Sequence, residues 1–133
     1  MKLSIFTLCD YAQSAFGKLT IVGAFNRIFS DQFPFTYRQG FNIVGRIVFT
    51  ESYSSNLNIT FIDPDGNNVL PPISSVLELA PQVMGRECSF DLNLTFNPVL
   101  FYKPGIYKIN LSYGDISESL TLYVDETPKK DSL

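Results

Sequence analysis

The sequence predicts an all-β fold, a single-domain antiparallel β-sandwich of seven or eight strands. Apolar residues recur at every second position over most of the chain, not at the 3.6-residue period of helices. Glycine and proline turns separate these alternating segments at short spacing, a pattern typical of sandwiches. The length of 133 residues suits one domain, and such a chain buries about two thirds of its unfolded surface. We therefore expect one domain over residues 1–126 and a frayed C-terminal tail over residues 127–133.

The first half of the chain contains its most apolar strands. A third strand is lined by Phe41, Ile43, Ile47 and Phe49. Within it Gly45 marks either a bulge or a close crossing of another strand. The two preceding strands, Lys2–Asp10 and Lys18–Phe25, are apolar on both faces. Because both faces are apolar, we expect both strands at the centre of a sheet.

The second half shows the cleanest alternation. After a short strand through residues 57–61, residues 74–80 form either one turn of helix or a short edge strand. In Cys88–Phe96 every second residue is apolar, as expected of a strand with one buried face. Gly114 and Asp115 separate two further alternating segments and predict a hairpin. Seven or eight strands at this short spacing, separated by glycine and proline turns, predict a sandwich of immunoglobulin-like or C2-like type.

The composition excludes several kinds of site. The chain has no His and only 2 Cys, so a Ser-His-Asp triad and a zinc site with imidazole ligands are impossible. A formal charge of −3 without a basic run argues against nucleic-acid binding. The 13 acidic residues offer no pair that the sequence places together for glycoside hydrolysis. We expect a non-enzymatic protein without a cofactor.

The N-terminal segment bears on the compartment. The apolar stretch Leu3–Leu8 is interrupted by Ser4 and Thr7 and is shorter than a secretory signal segment. No apolar run approaches the roughly 18–20 residues of a membrane span. Cys9 and Cys88 lie among apolar neighbours, and we expect two buried free thiols. These observations predict a cytoplasmic protein that does not bind membranes.

One polar turn is a candidate metal site. Asp63, Asp65 and Asn67 alternate around a Pro-Asp-Gly turn, and carboxylate and amide oxygens are ligands that Ca²⁺ prefers. The twelfth position of an EF-hand loop starting here would be Ser74, where that loop needs a bidentate Glu. The same residue types also form ordinary turns between strands. The sequence is therefore compatible with two interpretations of this segment, an ordinary turn and a weak calcium site.

Glu118 is a second isolated candidate. By parity it falls on the apolar face of its strand. Such a carboxylate is either a buried functional acid or an inward-pointing charge near a strand end that prevents edge pairing.

Two aromatic segments lie outside the alternation: Phe29–Tyr37, which surrounds Pro34, and Pro98–Tyr102. Such apolar loops either cap an open end of the sandwich or form a contact patch for a partner. Arg38 and Lys103 flank the segments and would give a patch a polar rim. The candidate partner-binding residues are Phe33, Phe35, Tyr37, Leu100, Phe101 and Tyr102.

The opening of the chain carries a resemblance. Leu8-Cys9-Asp10-Tyr11-Ala12-Gln13, followed by Gly17-Lys18-Leu19-Thr20-Ile21-Val22-Gly23-Ala24-Phe25, resembles the start of a family of short bacterial β-sandwich proteins of unknown function. The family pattern CD.A....GKL.I.G.F is followed by a D.DG turn and a PG.Y segment, which match Asp63–Gly66 and Pro104–Tyr107. The resemblance implies a β-sandwich and brings no activity, cofactor or catalytic residue.

The leading functional hypothesis is a protein-interaction or structural module. Its partner would be another protein or a second copy of this chain. The contact would involve the aromatic segments or an exposed sheet edge. The alternative is a small-ligand or calcium-binding module that uses the turns at one end of the sandwich. An enzyme ranks third, because a fold alone confers no catalysis.

Overall fold

The chain, described by a computed structural model over residues 1–128, folds into eleven β-strands. In chain order they are β1 (Lys2–Ala15), β2 (Lys18–Phe25), β3 (Arg27–Ser30), β4 (Phe35–Tyr37), β5 (Phe41–Phe49), β6 (Tyr53–Ile62), β7 (Ile73–Leu79), β8 (Cys88–Phe96), β9 (Val99–Phe101), β10 (Gly105–Tyr113) and β11 (Ile116–Glu126). Residues 1–128 contain no helix of the length and apolarity needed to cross a membrane.

The strands form two larger sheets and one ribbon. Sheet A has the order β2-β1-β5-β8 and is antiparallel throughout. Sheet B has the order β3-β11-β10-β6-β7, antiparallel except for the parallel pairing of β3 with β11. The ribbon consists of β4 and β9. The prediction of an all-β, mainly antiparallel fold is therefore confirmed, with more strands than the seven or eight expected.

One hydrophobic core joins the two larger sheets. Ile43 and Ile47 of sheet A and Ile59, Tyr107 and Leu122 of sheet B are all fully or almost fully buried in one cluster. Each such side chain adds about 1.5–3 kcal/mol through burial. The alternation seen in the sequence places these residues on the inner faces, so the sheets pack face to face.

Several strand predictions agree with the structure. Cys88–Phe96 is β8, and the turn at Gly114-Asp115 joins β10 to β11 with Tyr113 opposite Ile116. Residues 74–80 form the edge strand β7, not a turn of helix. Gly45 lies in regular register within β5, and the irregularity falls in β1 between Leu3 and Ile5.

The predicted central position of Lys18–Phe25 is wrong, because β2 is an edge strand of sheet A. Its apolar residues have another use: Leu19 and Ile21 pack against Cys9 and Val44 in a second, small cluster. Val44 is fully buried although its neighbours in β5 point into the main core. The distal half of the β1–β2 hairpin therefore covers the outer face of sheet A.

The predicted C-terminal tail begins at residue 127. Thr127 donates its backbone N–H to the carbonyl of Ser30 at 3.0 Å, which extends the pairing of β11 with β3. Residues 129–133 lie outside the described residues.

Candidate functional site

The two aromatic segments meet in the ribbon. Phe35 pairs with Phe101, and Tyr37 pairs with Val99, in an antiparallel ladder. The segments are more than sixty residues apart in the chain, so the sequence alone does not place them together. Because side chains alternate along a strand, one row of the ribbon faces the core and the other faces outward.

The inward row caps the core. Phe101 is 0% exposed, and Phe33, Phe35 and Tyr37 are half-buried against the core. The ring of Phe35 stacks on Phe101 with centroids 5.4 Å apart. Phe101 therefore cannot contact a partner in the folded chain. The prediction that it binds a partner is wrong, because its side chain is fully buried in the core. Phe33, Phe35 and Tyr37 contribute mainly to packing.

The outward residues line a cleft. Leu100 is 41% exposed and Tyr102 69% exposed, and with Lys103 they form one wall of a cavity of about 440 Å³. The turn over residues 63–69 supplies further lining residues, and the buried Tyr107 also borders the cavity. This cavity, the aromatic cleft, thus combines the candidate turn with the outward half of the candidate aromatic set.

The turn is fixed by the side chain of Asp63. Its Oδ1 accepts the backbone N–H groups of Asp65 and Asn67, each at 2.9 Å. The carbonyl of Asp63 accepts the N–H of Gly66 at 3.0 Å. An aspartate that binds the following backbone in this way pre-orders a turn. The main role of the Asp63 side chain is therefore to stabilise this turn.

The charges of the cleft partly neutralise one another. Lys103 Nζ lies 2.6 Å from a carboxylate oxygen of Asp65, and both side chains are about half exposed. Such an exposed pair contributes at most about 1 kcal/mol. The lining residues Asp63, Asp65 and Lys103 leave one net negative charge at the cleft.

Tyr107 connects the cleft to the core. Its ring is buried, and its hydroxyl donates a hydrogen bond to the carbonyl of Lys103 at 2.7 Å. Burial raises the pKa of Tyr107, and the nearby Asp63 and Asp65 carboxylates raise it further. The hydroxyl therefore stays protonated at neutral pH and holds the Lys103 backbone in place. In the sequence Tyr107 is visible only as the last residue of the PG.Y segment, and that pattern alone does not indicate its place beside the cleft.

The candidate metal ligands have other partners. Asp63 Oδ1 is engaged by the backbone, and Asp65 is engaged by Lys103. Among residues 1–128, no group of three or more Cys, Asp or Glu side chains is placed to hold a metal ion. Asn67 lines the cleft beside these carboxylates.

The other candidates lie away from the cleft. Glu118 is exposed, paired across the ladder with Leu111 near the β10–β11 turn. Arg38 is exposed directly after β4. Both cysteines are free; Cys9 is buried as expected, whereas Cys88 at the start of β8 is only half-buried.

Comparison with known proteins gives one match. A family model described as "Family of unknown function (DUF6941)" matches residues 4–125. No curated protein and no solved structure matches the chain.

Proposed function

Because the chain belongs to DUF6941, a family of unknown function, we propose its function from its geometry. The chain is a non-enzymatic protein-binding module whose contact surface is the aromatic cleft. The observation that carries this proposal is the exposure of Leu100 and Tyr102 beside a concave surface. Exposed tyrosines next to pockets are typical anchors of protein interfaces, since they bury much apolar area and keep a polar tip.

The construction of the cleft supports this role. Phe101, between the two exposed residues, is locked in the core, and Tyr107 holds the Lys103 backbone. Leu100 and Tyr102 are therefore presented by a rigid support. Because the support is rigid, less conformational entropy is lost at this surface when a partner binds.

The strand order supports an immunoglobulin-like sandwich as the scaffold. Strands β11-β10-β6-β7 have the order of G, F, C and C′ of a variable-type domain, and β1-β5-β8 have that of A, B and E. Tyr107, near the start of the strand that corresponds to F, bonds to a backbone carbonyl four residues upstream. This contact resembles the tyrosine corner of such domains and supports the proposed type of sandwich. Their end loops commonly bind other molecules.

The charged groups of the cleft support a binding role over catalysis. Asp63 is engaged in its own turn and Asp65 in an ion pair. A nucleophile with an adjacent base is not formed by the cleft-lining side chains. The free thiols of Cys9 and Cys88 fit a reducing, cytoplasmic setting.

Comparative capture tests the proposal. The immobilised chain and its Tyr102→Ser variant are incubated with native lysate, with Val76→Ser as control, since Val76 is a 64% exposed apolar residue of β7. Proteins held by the wild type should be lost with Tyr102→Ser and kept with Val76→Ser. Equal retention by Tyr102→Ser, or no retention by the wild type, would overturn the proposal.

A second candidate function is small-ligand or calcium binding. The observation in its favour is that the cavity of about 440 Å³ is lined by Asp63, Asp65 and Asn67. Calcium would have to displace Lys103 from Asp65. Calorimetric titration with calcium that gives no heat, together with an unchanged melting temperature, rejects the calcium version.

A further inference from the structure

The turn between β1 and β2 presents an unusual residue. Phe16 is 102% exposed, so its whole ring is in solvent, and its φ is +53°. Gly17 follows with φ +73°. A two-residue turn with two positive φ angles favours Asn-Gly, and an aromatic residue at the first position is disfavoured. The sequence thus accepts backbone strain at a place where the ring gains no packing within the chain.

The hairpin that carries Phe16 is fastened to sheet A. Ser14 donates a hydrogen bond to Asp91 at 2.9 Å, and Asn93 donates one to the carbonyl of Ala12 at 3.0 Å. Arg46 pairs with Asp91 at 2.6 Å and reaches the carbonyl of Gly17 at 3.4 Å. Together with the small apolar cluster beneath, these contacts hold the tip in one position. The backbone that carries the projecting Phe16 ring is therefore held in place.

The projection and the aromatic cleft lie at opposite ends of the strands. Gly17 lines a shallow hollow with Phe49 and Cys88, at the end of sheet A where β5 leads into β6. The cleft adjoins the other end of β6, which is ten residues long. At about 3.3 Å per residue these ends are roughly 30 Å apart. One copy therefore offers a knob at one end and a cleft at the other.

The tip of the hairpin and the cleft are complementary in polarity, and Lys18 places a positive charge directly beside the Phe16–Gly17 turn. Lys18 is the only charged residue in the sequence between residues 11 and 22, while Glu87 lines the hollow below the turn together with Gly17. The cleft has apolar wall residues in Leu100 and Tyr102 and a net negative charge from Asp63, Asp65 and Lys103. An aromatic ring beside a cation fits an apolar cleft beside carboxylates.

We propose that Phe16 of one copy inserts into the aromatic cleft of a second copy, with Lys18 placed toward Asp63 and Asp65. This inference rests on the proposed function, because it names the partner of the same cleft. A contact between two different surfaces is head-to-tail, and it leaves a free knob and a free cleft at the ends of each pair. It therefore propagates into short chains or closes into a ring.

Mass measurement over a concentration series tests the proposal. Wild-type protein should show an average mass that rises above one chain with concentration. Phe16→Asn and Tyr102→Ser should each remain single chains, whereas Val76→Ser should behave as the wild type. Because Asn suits a positive φ, Phe16→Asn should melt no lower than the wild type, so loss of association cannot be assigned to unfolding.

Mixing the two variants gives the sharpest outcome. Phe16→Asn keeps the cleft and Tyr102→Ser keeps the knob, so their equimolar mixture should form pairs of two chains and nothing larger. A wild type that stays a single chain at every concentration, or a Phe16→Asn variant that associates normally, would overturn self-association. If the wild type is a single chain but captures another protein through Tyr102, the proposed function stands and this inference fails.

Discussion

Replacing Phe101 with alanine removes the ring on which the ribbon is packed. The side chain is fully buried, and its centroid lies 5.4 Å from that of Phe35, 6.3 Å from Phe61 and 5.2 Å from Tyr107. Truncation of a buried phenylalanine costs about 3–5 kcal/mol, since the transfer energy is lost and a cavity remains. We expect a loss near the upper half of this range, because three aromatic neighbours lose contact together.

Urea denaturation followed by far-ultraviolet circular dichroism measures this loss directly. In a separate thermal scan, the melting temperature of Phe101→Ala should lie roughly 10–20 °C below that of the wild type. Leu100→Ala is the matched control, since Leu100 precedes Phe101 in β9 and points outward. The control should change the free energy of unfolding by less than about 1 kcal/mol. If Phe101→Ala also stays within 1 kcal/mol of the wild type, the assignment of Phe101 to the core is refuted.

Three further perturbations probe separate parts of the fold. The hydrogen bond from its arginine partner lowers the pKa of Asp91, so the stability from this group is present above its ordinary pKa of about 3.9 and is lost as pH falls below it. Asp91→Asn should flatten that acid branch in unfolding curves measured from pH 7 to pH 2; an unchanged slope would contradict this. A Cβ at Gly23, where φ is +69°, would overlap the carboxylate of Asp10, and Gly23→Ala should destabilise the chain by at least about 1–2 kcal/mol in urea. Wild-type stability of this variant would show that neither the positive φ of Gly23 nor the contact with Asp10 constrains the residue at this position. Tyr107→Phe removes the bond to the Lys103 carbonyl and should cost about 1 kcal/mol by thermal melting, whereas a neutral result would deny that bond a part in holding the cleft.

Local pattern was sufficient for most of the strands. Burial of one face imposes a period of two on a strand of a two-layer fold. Cys88–Phe96 and Phe41–Phe49 can therefore be predicted as strands without knowledge of the strands they pair with. The Gly114-Asp115 hairpin is equally local. The position of Lys18–Phe25 is not local, since two apolar faces are compatible both with a central strand and with a hairpin folded over a sheet.

The site required long-range information. The turn at Asp63 and the residues Leu100 and Tyr102 belong to different connections, and only the pairing of the strands brings them to one cleft. The sequence identified both groups but could not separate inward Phe101 from outward Leu100, because Pro98 obscures the parity of so short a strand. Phe16 was not identified at all. Its one local signal is a bulky residue before glycine in a two-residue turn.

The proposed role of the aromatic cleft is contact with a protein. Site-specific photo-crosslinking tests it most directly, with a benzophenone amino acid at Tyr102 and, as control, at Val76, both exposed in the free chain. Irradiation of native lysate containing each protein should give discrete higher-mass adducts when the benzophenone is at position 102. The same adducts should be absent when it is at position 76. Adducts absent from position 102, or the same adducts from both positions, would contradict the account.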